Sequence, residues 1–244
     1  MTEARLRLPR RTTQRASPKS FASFTMSAVT MRTVTMRTQM TNIPKTVLQV
    51  LRLTLSAAAL VMLPLPFTAH AADAGAVPEA KRTRAALYLE ARDVPAFIGQ
   101  QGGATKVLFL DLRTRAEAMF VGMVDGIDAL VPFVERQELM TDWDAQRNAY
   151  RLEPLQNFVP EVYRRLAEKG LTKDGVVVLI CRSGDRSSRG ANRLAEDGFT
   201  RVYSVIDGFE GDMSKDGRRS VNGRKNAGLP WSYKLDRQKM YFAR

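Results

Sequence analysis

The stretch with the residues best suited to chemistry is Val176-Val177-Val178-Leu179-Ile180-Cys181-Arg182-Ser183-Gly184-Asp185-Arg186-Ser187-Ser188. A run of β-branched and apolar residues ends in the one cysteine of the 244-residue chain, and a polar turn containing Gly184 comes next. A helical pattern then runs from Ser188 to Asp197 and stops at Gly198. A strand that feeds a loop and then a helix N-terminus makes an anion cradle. Successive backbone N–H groups converge there, and the helix dipole adds partial positive charge. A thiol at the mouth of such a cradle is set up as a nucleophile, and Arg182 and Arg186 strengthen the bias toward anions. One cysteine excludes an internal disulfide. The one histidine, His70, lies far upstream in a leader-like segment, so no Cys-His dyad or zinc-finger ligand set exists beyond residue 71. No imidazole activates Cys181; loop dipoles and arginines must do so.

The loop Cys181-Arg182-Ser183-Gly184-Asp185-Arg186-Ser187 resembles the active-site loop of the rhodanese (thiosulfate sulfurtransferase) family. Further pieces fall in that family's order: Leu108-Phe109-Leu110-Asp111-Leu112-Arg113, Gly198-Phe199-Thr200-Arg201-Val202-Tyr203, Asp207-Gly208-Phe209 and Ala227-Gly228-Leu229-Pro230-Trp231. The resemblance covers residues 86–233 and implies an α/β rhodanese-like domain, a parallel sheet of about five strands with helices on both faces. It also implies that Cys181 carries sulfur as a persulfide between an anionic donor such as thiosulfate and a thiol, cyanide-like or protein acceptor. Backbone N–H groups of residues 182–186 would stabilise the anionic sulfur. Arg182 and Arg186 would hold the donor, Ser183 would donate a hydroxyl hydrogen bond, and Gly184 would give the turn its freedom. A second reading makes Arg186 an internal strut paired with an acid. Asp185 is a loop hydrogen-bonder or ion-pair partner; Asp111, Arg113 and Ser187 are supporting residues. No metal or organic cofactor is implied.

Two rival functions differ in class. A cysteine phosphatase also uses a thiolate in an anion cradle, but needs a histidine before the cysteine and five residues before the arginine. Here Ile180 precedes Cys181 and four residues separate it from Arg186. The tighter loop suits a single sulfur better than a tetrahedral phosphate. The non-enzymatic rival is a sulfur-carrier or anion-binding module of an exported sulfur-metabolism system. A lone cysteine with no resolving partner makes a persulfide that must be delivered to something external.

The elements that must position this loop alternate between strand and helix patterns. Leu87–Leu89 reads as a strand; Asp93 caps a helix with Pro95 in its first turn, running to Gln101. Val107–Leu110 is a buried strand, Arg115–Val121 a short helix and Ala129–Phe133 another strand. Where the family usually has a Gly-His-Ile-x-Gly-Ala turn, Met123 replaces the histidine. Residues 134–157 form an insertion expected to hold one or two helical turns, either a surface excursion packed by Trp143 and Tyr150 or a lid or partner surface near the site. Phe158–Lys169 is a helix on the spacing of Phe158, Val162 and Leu166, and Val202–Ile206 the last clear strand. Phe209–Ser214 begins a helical segment, interrupted by an exposed loop at Asp216–Ser220. Arg218, Arg219, Arg224 and Lys225 read as a solvated face that could attract an acidic partner. Residues 72–85 read as a flexible tether and 234–244 as a tail.

The high net charge of +13 is unevenly spread. Ten of the 38 basic and one of the 25 acidic residues fall in 1–71, leaving 28 and 24 beyond. The basicity belongs mostly to the leader, and with no basic, aromatic-interleaved surface motif it does not imply nucleic-acid binding. The apolar stretch Leu53–Leu63 is 11 residues long, short of the about 20 needed to span a bilayer. Lys45 and Arg52 precede it, Pro64 and Pro66 end it, and Ala69-His70-Ala71 offers a small-x-small cleavage site. That is the pattern of a secretory signal peptide in 40–71, with export to the periplasm or beyond and no stable membrane insertion after cleavage. An uncleaved anchor is the alternative. Met40 begins a leader of ordinary length, and 1–39 then reads as a start-site artefact or else a disordered extension.

Overall fold

The structure, a computed structural model, describes residues 72–136 and 139–243; the leader reading of 1–71 lies outside the described residues. Five strands form one parallel sheet in the order β1-β10-β9-β2-β4. They are β1 (Tyr88–Leu89), β10 (Val202–Val205), β9 (Val176–Ile180), β2 (Val107–Asp111) and β4 (Ala129–Leu130). Strands β2 and β9 are buried at every position, as expected for a parallel sheet covered on both faces.

Side-chain alternation divides that sheet into two cores. Val107 and Phe109 of β2 and Val176, Val178 and Ile180 of β9 pack on one face against α1 (Val94–Gln100) and α2 (Arg115–Val121), through Val94, Phe97 and Ala118. Leu108 and Leu110 of β2 and Val177 and Leu179 of β9 face the other way. They meet Phe158, Val159, Val162 and Leu166 of α3 (Phe158–Glu168) and Ala191 and Leu194 of α4 (Asp185–Glu196). The alternation continues into Cys181 and places its side chain in this second core. Among the described residues no helix is long and apolar enough to cross a membrane.

Several expectations are corrected. Asp93 precedes α1 but its side chain makes no capping bond; Pro95 in the first turn starts the helix instead. The insertion contains no helix among its described residues. Its β5 (Val134–Arg136) pairs antiparallel with β8 (Leu152–Pro154), and β6 (Trp143–Asp144) pairs with β7 (Ala149–Tyr150). The aromatic rings of Trp143 and Tyr150 meet edge to face at 5.2 Å across that outer ribbon, a cross-strand pair that favours hairpin over helix.

Residues 72–85 are seated on the domain rather than hanging from it: Val77 is buried, Lys81 pairs with Asp212 at 2.6 Å, and the Arg84 N–H donates to Asn192 Oδ1. The chain after Asp207 forms turns, with an isolated antiparallel bridge between Met213 and Arg219 and no helix at 209–214. Trp231–Ser232 forms β11, which pairs with β3 (Met123–Val124). In the tail Met240 and Tyr241 are buried.

Candidate active site

Cys181 follows the carboxyl end of β9, in the middle of the sheet, and α4 begins at Asp185 rather than at Ser188. Three residues of the expected loop, Asp185, Arg186 and Ser187, therefore belong to the first helical turn, whose N–H groups lack helical acceptors. The turn between strand and helix is Arg182-Ser183-Gly184. Gly184 has φ +98°, and a Cβ there would lie 2.1 Å from the Ile206 carbonyl oxygen, so the tight reversal requires glycine. Its N–H donates to Cys181 Sγ at 3.2 Å. Ser187 Oγ lies 3.5 Å from the same sulfur and within 3.0 and 3.1 Å of the Gly184 and Val205 carbonyl oxygens, to which it can donate. The thiol is only 1% exposed; it forms the floor of the cradle, not its mouth. The expected set of N–H donors from 182–186 reduces, at Sγ itself, to Gly184 among the described residues.

Arg186 is the strut. It is buried, and its two terminal nitrogens donate to the two carboxylate oxygens of Glu117, both at 2.6 Å. The donor-holding role expected for it is replaced by a bidentate pair that ties α4 to α2. Glu117 also accepts from the Thr114 N–H, while its own N–H donates to Thr114 Oγ1, a capping box at the start of α2. Burial pushes the Glu117 carboxyl up, but the hydrogen bonds and charge of Arg186 outweigh it, with help from the Thr114 N–H and the Arg182 charge, and lower its pKa to about 2. Arg186 is shifted upward by the same pairing, against the opposing effect of its burial.

Arg182 is exposed and makes no side-chain hydrogen bond or ion pair among the described residues. Ser183 is half-buried and its hydroxyl does not reach the sulfur. Asp185 is exposed and pairs with Arg189 at 2.9 Å, as a loop ion-pair partner would. Asp111 and Arg113 are fully buried and paired at 2.7 Å. Arg113 also donates to the Gly122 carbonyl and stacks its guanidinium 3.9 Å from the centre of the Phe209 ring.

Phe209 carries that order back to the cysteine, because its N–H donates to the Cys181 carbonyl at 2.8 Å. The Arg182 carbonyl accepts from the Glu210 and Gly211 N–H groups at 2.9 and 3.2 Å. A Cβ on Gly208 would lie 2.6 Å from backbone atoms of Cys181, Arg182 and Ser183. Asp207 holds the clamp from below by accepting from the Ala91 and Gly223 N–H groups at 2.7 and 2.9 Å. Its burial pushes its pKa up despite those bonds.

Glu117 and the clamp are the parts that sequence reasoning missed. Thr114-x-x-Glu117 is a visible capping-box signal, but it indicates a helix start and not a partner for Arg186. The expected solvated face holds at Arg218, whose side chain is exposed, but not at Arg224 or Lys225. Arg224 is buried and donates to the Pro230 and Asp125 carbonyls, and Lys225 lies 3.9 Å over the Trp231 ring.

A family model described as a rhodanese-like domain matches residues 99–215. The chain is similar to uncharacterized protein RP600 of Rickettsia prowazekii, with 37% identity over 60 residues, 25% of this chain and 44% of that protein. It is also similar to the RP600 homolog of Rickettsia rickettsii, with 25% identity over 126 residues, 51% of this chain and 81% of that protein. The matched part thus spans less than half the length of the first of these relatives. Among solved structures, that of Rv0390 from M. tuberculosis aligns at a TM-score of 0.45 and 25% identity, covering 60% of this chain and 97% of that one. The five-stranded parallel sheet and the cysteine cradle lie largely within residues 99–215, the segment that matches the rhodanese-like domain model.

Proposed function

We propose that this protein is a sulfurtransferase that moves a sulfane sulfur from an anionic donor such as thiosulfate to a thiophilic acceptor through a persulfide on Cys181. The observation that carries the reading is the sulfur of Cys181 held at the end of β9, with the Gly184 N–H donating to it and the first turn of α4 opening above it. In the loading step the Cys181 thiolate attacks the outer sulfur of thiosulfate. A new S–S bond forms, the bond from that sulfur to the sulfonate breaks, and sulfite leaves with the electron pair. The negative charge then rests on the outer sulfur of the persulfide, which the orphan N–H groups of the first turn of α4 are placed to stabilise. In the delivery step a thiolate or cyanide attacks that outer sulfur and Cys181 leaves as the thiolate.

Intact-mass spectrometry before and after incubation with thiosulfate, alongside Cys181→Ser, tests this. A gain of one sulfur that cyanide or dithiothreitol reverses, and that Cys181→Ser lacks, is the expected result. A free, reduced thiol that gains no sulfur from thiosulfate would overturn the donor assignment. A carrier function for the same persulfide is distinguished by its acceptor: turnover that is slow with cyanide and accelerates with a protein thiol identifies the carrier. Export remains part of the proposal, carried by the apolar leader and its Ala69-His70-Ala71 site.

A further inference from the structure

With Arg186 committed to Glu117, the cradle needs another source of positive charge to hold a doubly charged donor. The turn after Asp207 supplies one. The Arg182 carbonyl accepts from the Gly211 N–H, and the Gly211 carbonyl accepts from Arg219 Nη1 at 2.6 Å. Two hydrogen bonds thus connect the backbone of Arg182 to the guanidinium of Arg219. The turn that places it is tightly built. Gly211 and Gly223 have φ +88° and +91°, and a Cβ on Gly211 would lie 1.9 Å from the Asn222 carbonyl oxygen. Asn222 bonds the Asp212 N–H and carboxylate through its side chain, and Asn226 donates to the Glu210, Arg219 and Asn222 carbonyls.

The acids in this neighbourhood are mostly engaged elsewhere. Glu117 is held by Arg186, Asp212 by Lys81, and Asp185 by Arg189; Asp216 is exposed beside Ser214 and Arg218. Burial and then the nearby charge of Arg182 lower the pKa of Arg219, and Glu210 and Asp212 offset only part of that effect. Arg219 gives one nitrogen to a neutral carbonyl and Arg182 gives none, which leaves guanidinium donors of both residues for an oxyanion.

We propose that Arg182 and Arg219 together form the docking subsite for a dianionic sulfur donor at the mouth of the Cys181 cradle. Arg219 then determines specificity from outside the 99–215 segment that the family model matches. The inference rests on the sulfur-transfer reading and adds to it which residues select the donor's charge. The experiment is persulfide loading of the full chain at varied thiosulfate, read by intact mass, in the wild type, Arg219→Ala, Arg219→Lys and Arg218→Ala. Arg218 is a neighbouring control whose side chain is 84% exposed.

Removing one charge-assisted contact should raise the thiosulfate concentration for half-maximal loading by about tenfold in Arg219→Ala. The maximal rate should change little, and added sulfate should compete in the wild type. Arg219→Lys should recover part of the loss, and Arg218→Ala should match the wild type. Loading of Arg219→Ala at the wild-type concentration dependence, or an Arg218→Ala defect of the same size, would overturn the inference while leaving the sulfur-transfer reading intact. A wild type that takes no sulfur from thiosulfate would overturn that reading instead, and the subsite with it. Thermal melting of each variant separates lost docking from lost folding, and Arg219→Lys keeps the test decisive should Arg219→Ala unfold.

Discussion

At the scale of single residues, the Arg186–Glu117 pair decides how the cradle is held. Removing one partner of a buried pair leaves the other charge desolvated and uncompensated, which costs roughly 3–5 kcal/mol where burial is complete. Glu117 keeps 19% of its side chain exposed, so Glu117→Gln should cost about 2–4 kcal/mol, measured by urea unfolding at pH 7. The same pair sets a pH dependence of definite sign. The carboxyl lies at about 2 in the fold against an ordinary 4.5. Its contribution is therefore fully present above pH 4.5 and is lost as the pH falls toward 2. The stability gap between wild type and Glu117→Gln should accordingly close between those limits, and a gap that stays constant down to about pH 2.5 would contradict the assignment. Asp207 works with the opposite sign: burial raises its pKa, so its contribution is greatest when protonated and declines as the pH rises through the raised value. Cys181, Gly184 and the surrounding loop were legible in the sequence because their chemistry is local. The partner of Arg186 was not, since it lies 69 positions away and its pairing depends on how α2 and α4 meet.

At the scale of elements, β9 and α4 do little without the backbone clamp that closes over their junction. Gly184 tests this against a matched control. Gly184→Ala combines a positive φ with a Cβ 2.1 Å from a carbonyl oxygen that belongs to the neighbouring chain segment, so the backbone must shift. The expected loss exceeds about 3 kcal/mol and should abolish loading of Cys181. Gly217 has φ +79° with nothing within 4 Å of its Cβ position, and Gly217→Ala should cost only the left-handed backbone term, about 1–2 kcal/mol. Equal losses in the two variants would show that strain alone, and not the close approach to Ile206, governs the site. The elements of the sheet were readable because β2 and β9 are continuous apolar runs and α3 has helical spacing. The insertion misled for the converse reason. Its mixed apolar and charged residues have no clear period, and the ring pair across β6 and β7 appears only once the ribbon folds. Replacing residues 137–151 by an Asn-Gly turn, which suits a two-residue hairpin between β5 and β8, should leave persulfide loading within about twofold of wild type if the ribbon is a surface excursion. A collapse in loading with an unchanged melting temperature would make it part of the site.

At the scale of the whole molecule, the chain divides by charge near residue 71, and the domain beyond that point makes contacts from its first residue onward. The Ala72 N–H donates to the Tyr88 carbonyl at 3.2 Å, beside β1 at the edge of the sheet. Val77 is 1% exposed, and Lys81 pairs with Asp212 in the turn that also carries Arg219. Residues 72–85 therefore pack on the domain and pair with the turn that carries Arg219, which the small, charged composition of that segment did not reveal. If export removes the leader after Ala71, the mature protein keeps all of these contacts, and sequencing of the protein recovered from its native compartment should begin at Ala72. An N-terminus upstream of Leu53 would instead identify a retained apolar anchor. Two shortened chains separate the contribution of the seated segment from that of the leader. A chain of residues 72–244 should unfold cooperatively and load sulfur on Cys181 as the full chain does. A chain of residues 87–244 loses the buried Val77 and the partly buried Lys81–Asp212 pair, together about 3 kcal/mol. Because Asp212 belongs to the turn that positions Arg219, this second chain should also need more thiosulfate for half-maximal loading, even under conditions where it is fully folded. Equal stability and equal loading in the two chains would return residues 72–85 to the role of a tether and detach the leader's cleavage point from the chemistry of the cradle.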